Sequence, residues 1–356
     1  MIEKKVAYIG GCWSTNIGNA FFNLGADYVL KQVFTEKNVN MVMDQSAFTP
    51  GWKRKNGNIP WAVNYWQHLC VDYVVLLGPV ISKYFLPIWK KTLDKLKSKG
   101  IKYMLLSAGM MKCEEETVKE VKKYFKTNPP FVVTTRDRKT YDTFSDCITN
   151  IYDGICFAFF VPDYYTPFDT DFQKTIAVNF DKIDEPYIYL DKQGCQNDVQ
   201  FEYDGHTFGI KYKRFSQIGL KTDRLSDALV YLFSPLPRGR RASKIGEYTI
   251  LRPDHRYNPM FVRKVFRYEN SFCGDIPHTY ANIYANAGLT ISDRVHACAL
   301  TLAYGNSAFL LAKTERSGLL DRVGASEIMD HPVSIDLDRL KEEKDALIHW
   351  LRQVEW

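Results

Sequence analysis

What this chain of 356 residues lacks narrows its class before any motif is read. No apolar run approaches the ~20 residues that span a bilayer. Met1 to Lys5 is short and charged and leads straight into a strand, so neither a membrane span nor a signal peptide is expected. The eight Cys, at 12, 70, 113, 147, 156, 195, 273 and 298, include no Cys-x-x-Cys pair and have no His partners at zinc spacing. They read as mostly buried thiols in a reducing compartment, and the expected location is the cytoplasm. Neither sign of charge is in large excess, since 47 Lys and Arg against 41 Asp and Glu leave +6. That balance is too mild to require nucleic acid, and no aromatic-basic platform accompanies it. It is compatible with anionic ligands or an anionic membrane surface. Tandem repeats and low-complexity tracts are absent as well.

What is present is an ordinary globular composition, 46% hydrophobic and 25% charged. The length exceeds the ~250–300 residues at which a single core stops growing, so two domains are the default. Aromatic residues make up 14%, enough for either packing or sugar stacking, and composition does not separate the two.

The chain is organised around Leu289 to Gly305, Leu-Thr-Ile-Ser-Asp-Arg-Val-His-Ala-Cys-Ala-Leu-Thr-Leu-Ala-Tyr-Gly. An apolar, partly β-branched run is followed by apolar residues at 295, 299, 302 and 303, which is a helical spacing, and Gly305 can stop the helix. The reading is a strand, a tight turn and a buried helix. In an open α/β sheet such a junction faces the ligand crevice, and Arg294 and His296 stand there. Asp293 is read as the N-cap. An isolated Arg-Val-His is more often a surface ion pair and a hydrogen-bonded core histidine than a site.

Val6 to Ile9 is a strand ending in Gly10-Gly11. The loop Trp13 to Asn19 then opens a helix with Phe22, Ala26, Val29 and Val33 on one face. Val71 to Leu77 is a near-continuous apolar run ending at Gly78, the pattern of a strand covered on both faces. A helix to Lys99, a strand Ile101 to Ser107, a helix Glu114 to Phe125, a strand Phe131 to Thr135 ending in Arg136-Asp137, and a short helix Lys139 to Phe144 follow. This alternation implies a parallel sheet. Asp137 reads as a capping carboxylate.

Val161 to Asp171 is the candidate linker, and a second set opens with the strand Thr175 to Asn179. Glu185 to Ser216 reads as a β excursion, Leu225 to Phe233 as a helix, and Pro235 to Lys244 as a solvated basic loop. The strand Tyr248 to Leu251 runs into Arg252-Pro-Asp-His255-Arg256, a second-rank cluster at a strand end. Asp336 to Gln353 forms a closing helix whose stripe of Leu337, Leu340, Leu347, Leu351 and Val354 needs cover.

The organising stretch, with Ser307 to Leu311, Lys313 and Gly318 to Gly324 behind it, resembles the C-terminal signature of the polysaccharide pyruvyl transferase family, in which an Arg-x-His precedes an Ala-rich helix. Asn16-Ile-Gly18-Asn19 is similar to that family's Asn-x-Gly-Asp, with Asn in place of Asp. Arg136-Asp137 matches its Arg-Asp or Arg-Glu, and Gly78-Pro79 stands where the family carries two or three glycines.

The resemblance implies an α/β fold of two Rossmann-like domains facing a cleft, as in the glycosyltransferase-B fold. The boundaries expected are 1–165, 166–335 and a closing helix at 336–356 that packs back on the first domain. It implies transfer of pyruvate as a ketal from phosphoenolpyruvate to two hydroxyls of a galactose-type residue of a bacterial surface polysaccharide, free or lipid-linked. Arg136 and Arg294 would then grip the donor's anionic groups, and His296, with an unperturbed pKa near neutrality, would be the general acid or base. Asn16, Gly18, Asn19, Gly78, Arg252, His255 and Lys313 are the expected substrate contacts. No metal and no cofactor beyond the donor substrate is expected. The expected partners are phosphoenolpyruvate and the saccharide, with peripheral membrane contact and no nucleic acid. A nucleotide-sugar glycosyltransferase of the same fold, or an inactive sugar-binding relative, is the alternative.

Overall fold

A computed structural model describes residues 1–44, 63–181, 183, 185–191, 199–212, 241–256, 268–312 and 314–356. The helix read at 225–233, the basic loop up to residue 240 and Lys313 lie outside the described residues.

The first half builds a six-stranded sheet ordered β2-β1-β3-β5-β7-β8, from Val39–Met43, Val6–Gly10, Tyr73–Leu77, Lys102–Ala108, Val132–Thr135 and Ile151–Asp153. Every pair in it is parallel. β1, β3 and β7 are buried along their whole length, as expected of strands with helices on both faces. Two short strands, β4 (Ile81–Ser82) and β6 (Met110–Met111), pair beyond the ends of β3 and β5.

The second half builds another six-stranded sheet around β9 (Thr175–Asn179). On one side lie β14 (Tyr248–Asp254) and then β13 (Lys244–Ile245), with β15 (Ser271–Cys273) also on β14; on the other lie β16 (Leu289–Ser292) and β17 (Ser307–Leu310). Only β13 runs antiparallel. The β excursion is a three-stranded antiparallel sheet of β10 (Tyr187–Leu190), β12 (His206–Lys211) and β11 (Val199–Tyr203). The stacked Phe201 and Phe208 of this small sheet pack it onto Phe309 and Tyr248 of the larger one.

Helix α1 (Gly18–Val33) departs from the single apolar face read for it, because Ala20 to Asp27 are all buried. It is enclosed by the sheet and by the Phe157–Phe160 turn, where a Cβ at Gly25 would run into the Phe157 carbonyl. The start of the expected linker is part of this packing: Val161–Tyr164, with Pro162 in its first turn, is a short helix laid against α1. The closing helix, Leu337–Gln353, begins at Asp336, whose carboxylate accepts from the Asp338 and Arg339 N–H groups. Its stripe buries Leu340, Leu347 and Leu351, while Leu337 is exposed. Leu347 covers Gly154, Trp350 stacks on Tyr152, and Trp356 beyond the helix packs edge-on to Phe34 and Tyr73. These partners all belong to the first half of the chain. None of the described helices is long and apolar enough to cross a membrane.

Candidate active site

In each large sheet the chain grows outward in one direction from its first strand and then returns to the other side of it. The crevices therefore open between β1 and β3, and between β9 and β16. Asp181 follows β9, and Asp293 and Arg294 follow β16, so these residues stand at the second switch point. Asp293 is not the cap of the helix Val295–Ala303 that its position in sequence suggests; Arg294 occupies that place. The Asp293 carboxylate instead accepts from the Asp181 N–H at 3.1 Å and the Ile183 N–H at 2.9 Å, tying the loop after β9 to the loop after β16. Backbone donors are better partners for a wholly buried carboxylate than one frayed helix end. Asp181 is in turn 2.5 Å from Arg294 Nη2 and 3.1 Å from Arg256 Nη2.

These residues line a cleft of about 420 Å³ together with Asn16, Met111 and Lys112 from the first half and His255, His296, Thr314, Glu315 and Arg316 from the second. The two halves are linked at its edge. The Ile17 N–H donates to the His255 carbonyl at 2.8 Å, and the Lys112 N–H donates to Glu315 at 2.8 Å. Gly18 admits His296 to this edge. A Cβ there would lie 3.2 Å from both Cβ and Nδ1 of the histidine. His296 therefore faces the first half, with the Phe22 ring 5.5 Å away and Cys156 Sγ 3.9 Å from Nε2.

Arg136 follows β7 and is 1% exposed, enclosed rather than lining the cleft. Gly109 makes room for it, since a Cβ there would sit 2.5 Å from Nε. Its neighbour Asp137 caps the helix Arg138–Phe144, accepting from the Thr140 N–H at 2.8 Å. Arg136 nevertheless reaches the cleft electrostatically. Burial first, then the Arg136 and Arg316 guanidiniums, push His296 well below its usual range, so the ring is neutral near pH 7. The fold thus moves the ring away from the unperturbed value near neutrality. Arg316 is itself pushed down to about 10, by burial and then by Arg136 and Arg294.

Of the other residues singled out in the sequence, Asn16 lines the cleft and donates through Nδ2 to Asn19 Oδ1 at 3.3 Å. The acceptor oxygen that an Asp would have supplied at position 19 is thus supplied by the amide. Gly78, at φ +72°, does not line the cleft. It holds the Phe22 ring, which a Cβ would meet at 2.8 Å. Arg252 is also placed elsewhere. Nε is 3.0 Å from a Glu185 oxygen, Nη1 donates to the Glu269 carbonyl at 2.9 Å, and Nη2 donates to the Ala242 carbonyl at 2.8 Å. A guanidinium so occupied has no fork left for a ligand, and the substrate contact expected of it is corrected to a structural role.

Asp181, Lys112, Glu315 and Arg316 were not singled out. Arg316 was findable, because it lies in the loop after β17 and the strand-end rule applied at Arg294 extends to it. Among the described residues no three His, Cys, Asp or Glu side chains are grouped as metal ligands.

A family model described as polysaccharide pyruvyl transferase matches residues 16–312. No curated protein is similar to the chain in sequence. Among solved structures, one from Listeria monocytogenes assigned as a UDP-N-acetylglucosamine 2-epimerase aligns at 10% identity and a TM-score of 0.51, over 99% of this chain and 91% of that one. A second UDP-N-acetylglucosamine 2-epimerase aligns at 8% identity and a TM-score of 0.50, over 100% and 91%. At such identities the likeness is one of fold, two Rossmann-like units in the glycosyltransferase-B manner.

Proposed function

The chain belongs to the polysaccharide pyruvyl transferase family, and from that premise we propose that it transfers the pyruvyl unit of phosphoenolpyruvate, as a ketal, to two hydroxyls of a galactose-type residue in a bacterial surface polysaccharide or its lipid-linked precursor. One observation carries the reading. Eight buried side-chain nitrogen and oxygen atoms lack an aligned hydrogen-bond partner among the described residues; they include Nε and Nη1 of Arg136 and Nε of Arg294, whereas Arg294 Nη2, also misaligned, is compensated by the Asp181 carboxylate 2.5 Å away. Each unmet buried donor costs about 1–3 kcal/mol. Arg294 lines the cleft, where a ligand rich in acceptor oxygens would meet its unmet donor directly, and such a ligand would also offset the charge of the enclosed Arg136. Phosphoenolpyruvate brings a carboxylate and a phosphate, and Arg316 adds a third cation that burial and its neighbours have left short of compensation.

The reaction needs a proton on the methylene carbon, which turns the next carbon cationic. One sugar oxygen bonds to that carbon, the bond to phosphate breaks with its electron pair, and the second sugar oxygen closes the ketal. Two hydroxyl protons are released, one matching the proton now on the methyl group and one leaving with phosphate. Neutral His296 has a lone pair to accept a hydroxyl proton. A bound dianion offsets the arginines that depress its proton affinity, which suits it to pass a proton on once the donor is in place. With a lipid-linked acceptor the reaction would run at the inner face of the membrane.

The test is incubation of the purified protein with phosphoenolpyruvate and a galactoside. The expected outcome is phosphate together with a product heavier by one ketal-linked pyruvate. Nucleotide release from a sugar nucleotide, or inertness with retained sugar binding, overturns the reading.

A further inference from the structure

One more buried atom without a partner belongs to a residue lining the same cleft, Nδ1 of His255. The ring is 1% exposed and held edge-on by Phe21, Tyr280 and Tyr284. Its other nitrogen, Nε2, lies 2.6 Å from the Tyr284 hydroxyl. Which of these two donates is decided one residue further on. Asn179 Nδ2 faces both the Pro253 carbonyl and the Tyr284 hydroxyl, the latter at 3.0 Å. A carbonyl oxygen only accepts, so the amide nitrogen and not the amide oxygen must stand there. Its two hydrogens go to Pro253 and to Tyr284. The Tyr284 oxygen accepts from Asn179, and its single hydrogen has no hydrogen-bond acceptor other than His255 Nε2 among the described residues, so it goes there. Burial, and after it the Arg294 charge, hold the ring well below its usual pKa, so it carries one proton. With Nε2 accepting, that proton is on Nδ1.

We propose that His255 is a ligand-binding residue of this cleft whose Nδ1–H donates to an anionic oxygen of the donor substrate beside Arg294, and that Tyr284 and Asn179 are positioning residues that fix this tautomer. A ring locked in this state offers a donor and no free lone pair, so it is not the base of the reaction. That leaves proton transfer to His296. The Ile17 N–H on the His255 carbonyl ties the backbone that carries the ring to the first half of the chain. The identity of the ligand rests on the phosphoenolpyruvate reading above; the tautomer does not.

The test has a spectroscopic and a binding arm. In the unmodified protein at pH 7 the ¹⁵N shifts of the His255 ring should show Nδ1 protonated and Nε2 bare, and Tyr284→Phe should mix the two tautomers. Calorimetry then follows phosphoenolpyruvate and, separately, inorganic phosphate. An Asn amide nitrogen falls near the place of Nδ1 and a Gln amide nitrogen near that of Nε2. His255→Gln and His255→Ala should therefore weaken binding about tenfold, and His255→Asn no more than about threefold, the difference being one hydrogen bond to a charged acceptor. A ring protonated on Nε2, or equal binding by all variants, overturns the proposal. If phosphate binding follows the Asn-over-Gln order while no pyruvyl transfer occurs, the donor role stands and the pyruvyl reading falls. If transfer occurs without that order, this inference alone falls.

Discussion

Arg252, within β14, and Arg294, just beyond the end of β16, belong to the two strands that flank β9, and their surroundings differ in kind. Every nitrogen of the Arg252 guanidinium has a partner, from the Glu185 carboxylate and two carbonyls. Arg294 has an ion pair with Asp181 through Nη2, yet its Nε lacks a hydrogen-bond partner among the described residues. The cause is position along the strand. Arg252 lies inside β14, paired in register with Ser271, so its side chain is committed to a face where Glu185 closes over it. Arg294 lies two residues beyond Ser292, the last ladder position of β16, where the chain has left the sheet and fronts the crevice. A satisfied arginine stabilises the fold, whereas one left short of partners is available to a ligand.

The largest effect that would test this contrast is on stability. Arg252→Ala leaves Glu185 without its partner in a mostly buried site and should destabilise the protein by about 3 kcal/mol in chemical denaturation. The joint change Arg252→Met with Glu185→Leu should recover most of that, because a buried pair replaced together leaves no orphaned charge. Turnover per folded molecule should hold in both. A loss of turnover without a loss of stability would place Arg252 in the site after all.

The converse substitution is Arg294→Lys, which keeps the charge and loses the planar fork. Pyruvyl transfer should fall by more than about tenfold, roughly 1.4 kcal/mol, with the denaturation midpoint almost unmoved. Unchanged kcat/KM with lysine would remove Arg294 from the donor grip.

The smallest effect is in the pH dependence of stability and belongs to the two histidines that share the cleft. Both are held below the usual 6.5 by burial, so the unfolded chain binds more protons than the folded one as pH falls through that value. Their contribution is present above pH 6.5 and is lost below it, by about 0.7 kcal/mol for each histidine between pH 7 and 6. His296→Gln should flatten the slope by one histidine's share, and inorganic phosphate, by offsetting the arginines, should flatten it in part. A slope untouched by His296→Gln would mean that the ring is not held below its usual pKa, and one untouched by phosphate that the arginines do not bear on it.

Much of the architecture was legible because strands covered on both faces carry continuous apolar runs. β3, fully buried, is of that kind, and Gly78 marks where it ends. The Arg-x-His junction was legible for the same local reason, a β run giving way to helical spacing. Where the reading missed, the cause was a contact made by distant chain. Nothing near Arg252 announces Glu185, 67 residues away, and nothing near Asp293 announces the N–H groups of Asp181 and Ile183. Leu337 counted in the apolar stripe of the closing helix yet stays exposed, because at the first turn the helix has not reached the surface it covers.

The sequence by itself determined the order of strands and helices, the identity of the strand ends that carry arginine and histidine, and the family, since these depend on local periodicity and short-range motifs. Tertiary structure alone decided which guanidiniums are satisfied and in which protonation state the histidines stand. It also decided that Arg316 joins Arg136 and Arg294 in one field. Those properties follow from desolvation and from charges brought within a few ångströms by folding, and neither quantity is written in the spacing of residues along a chain.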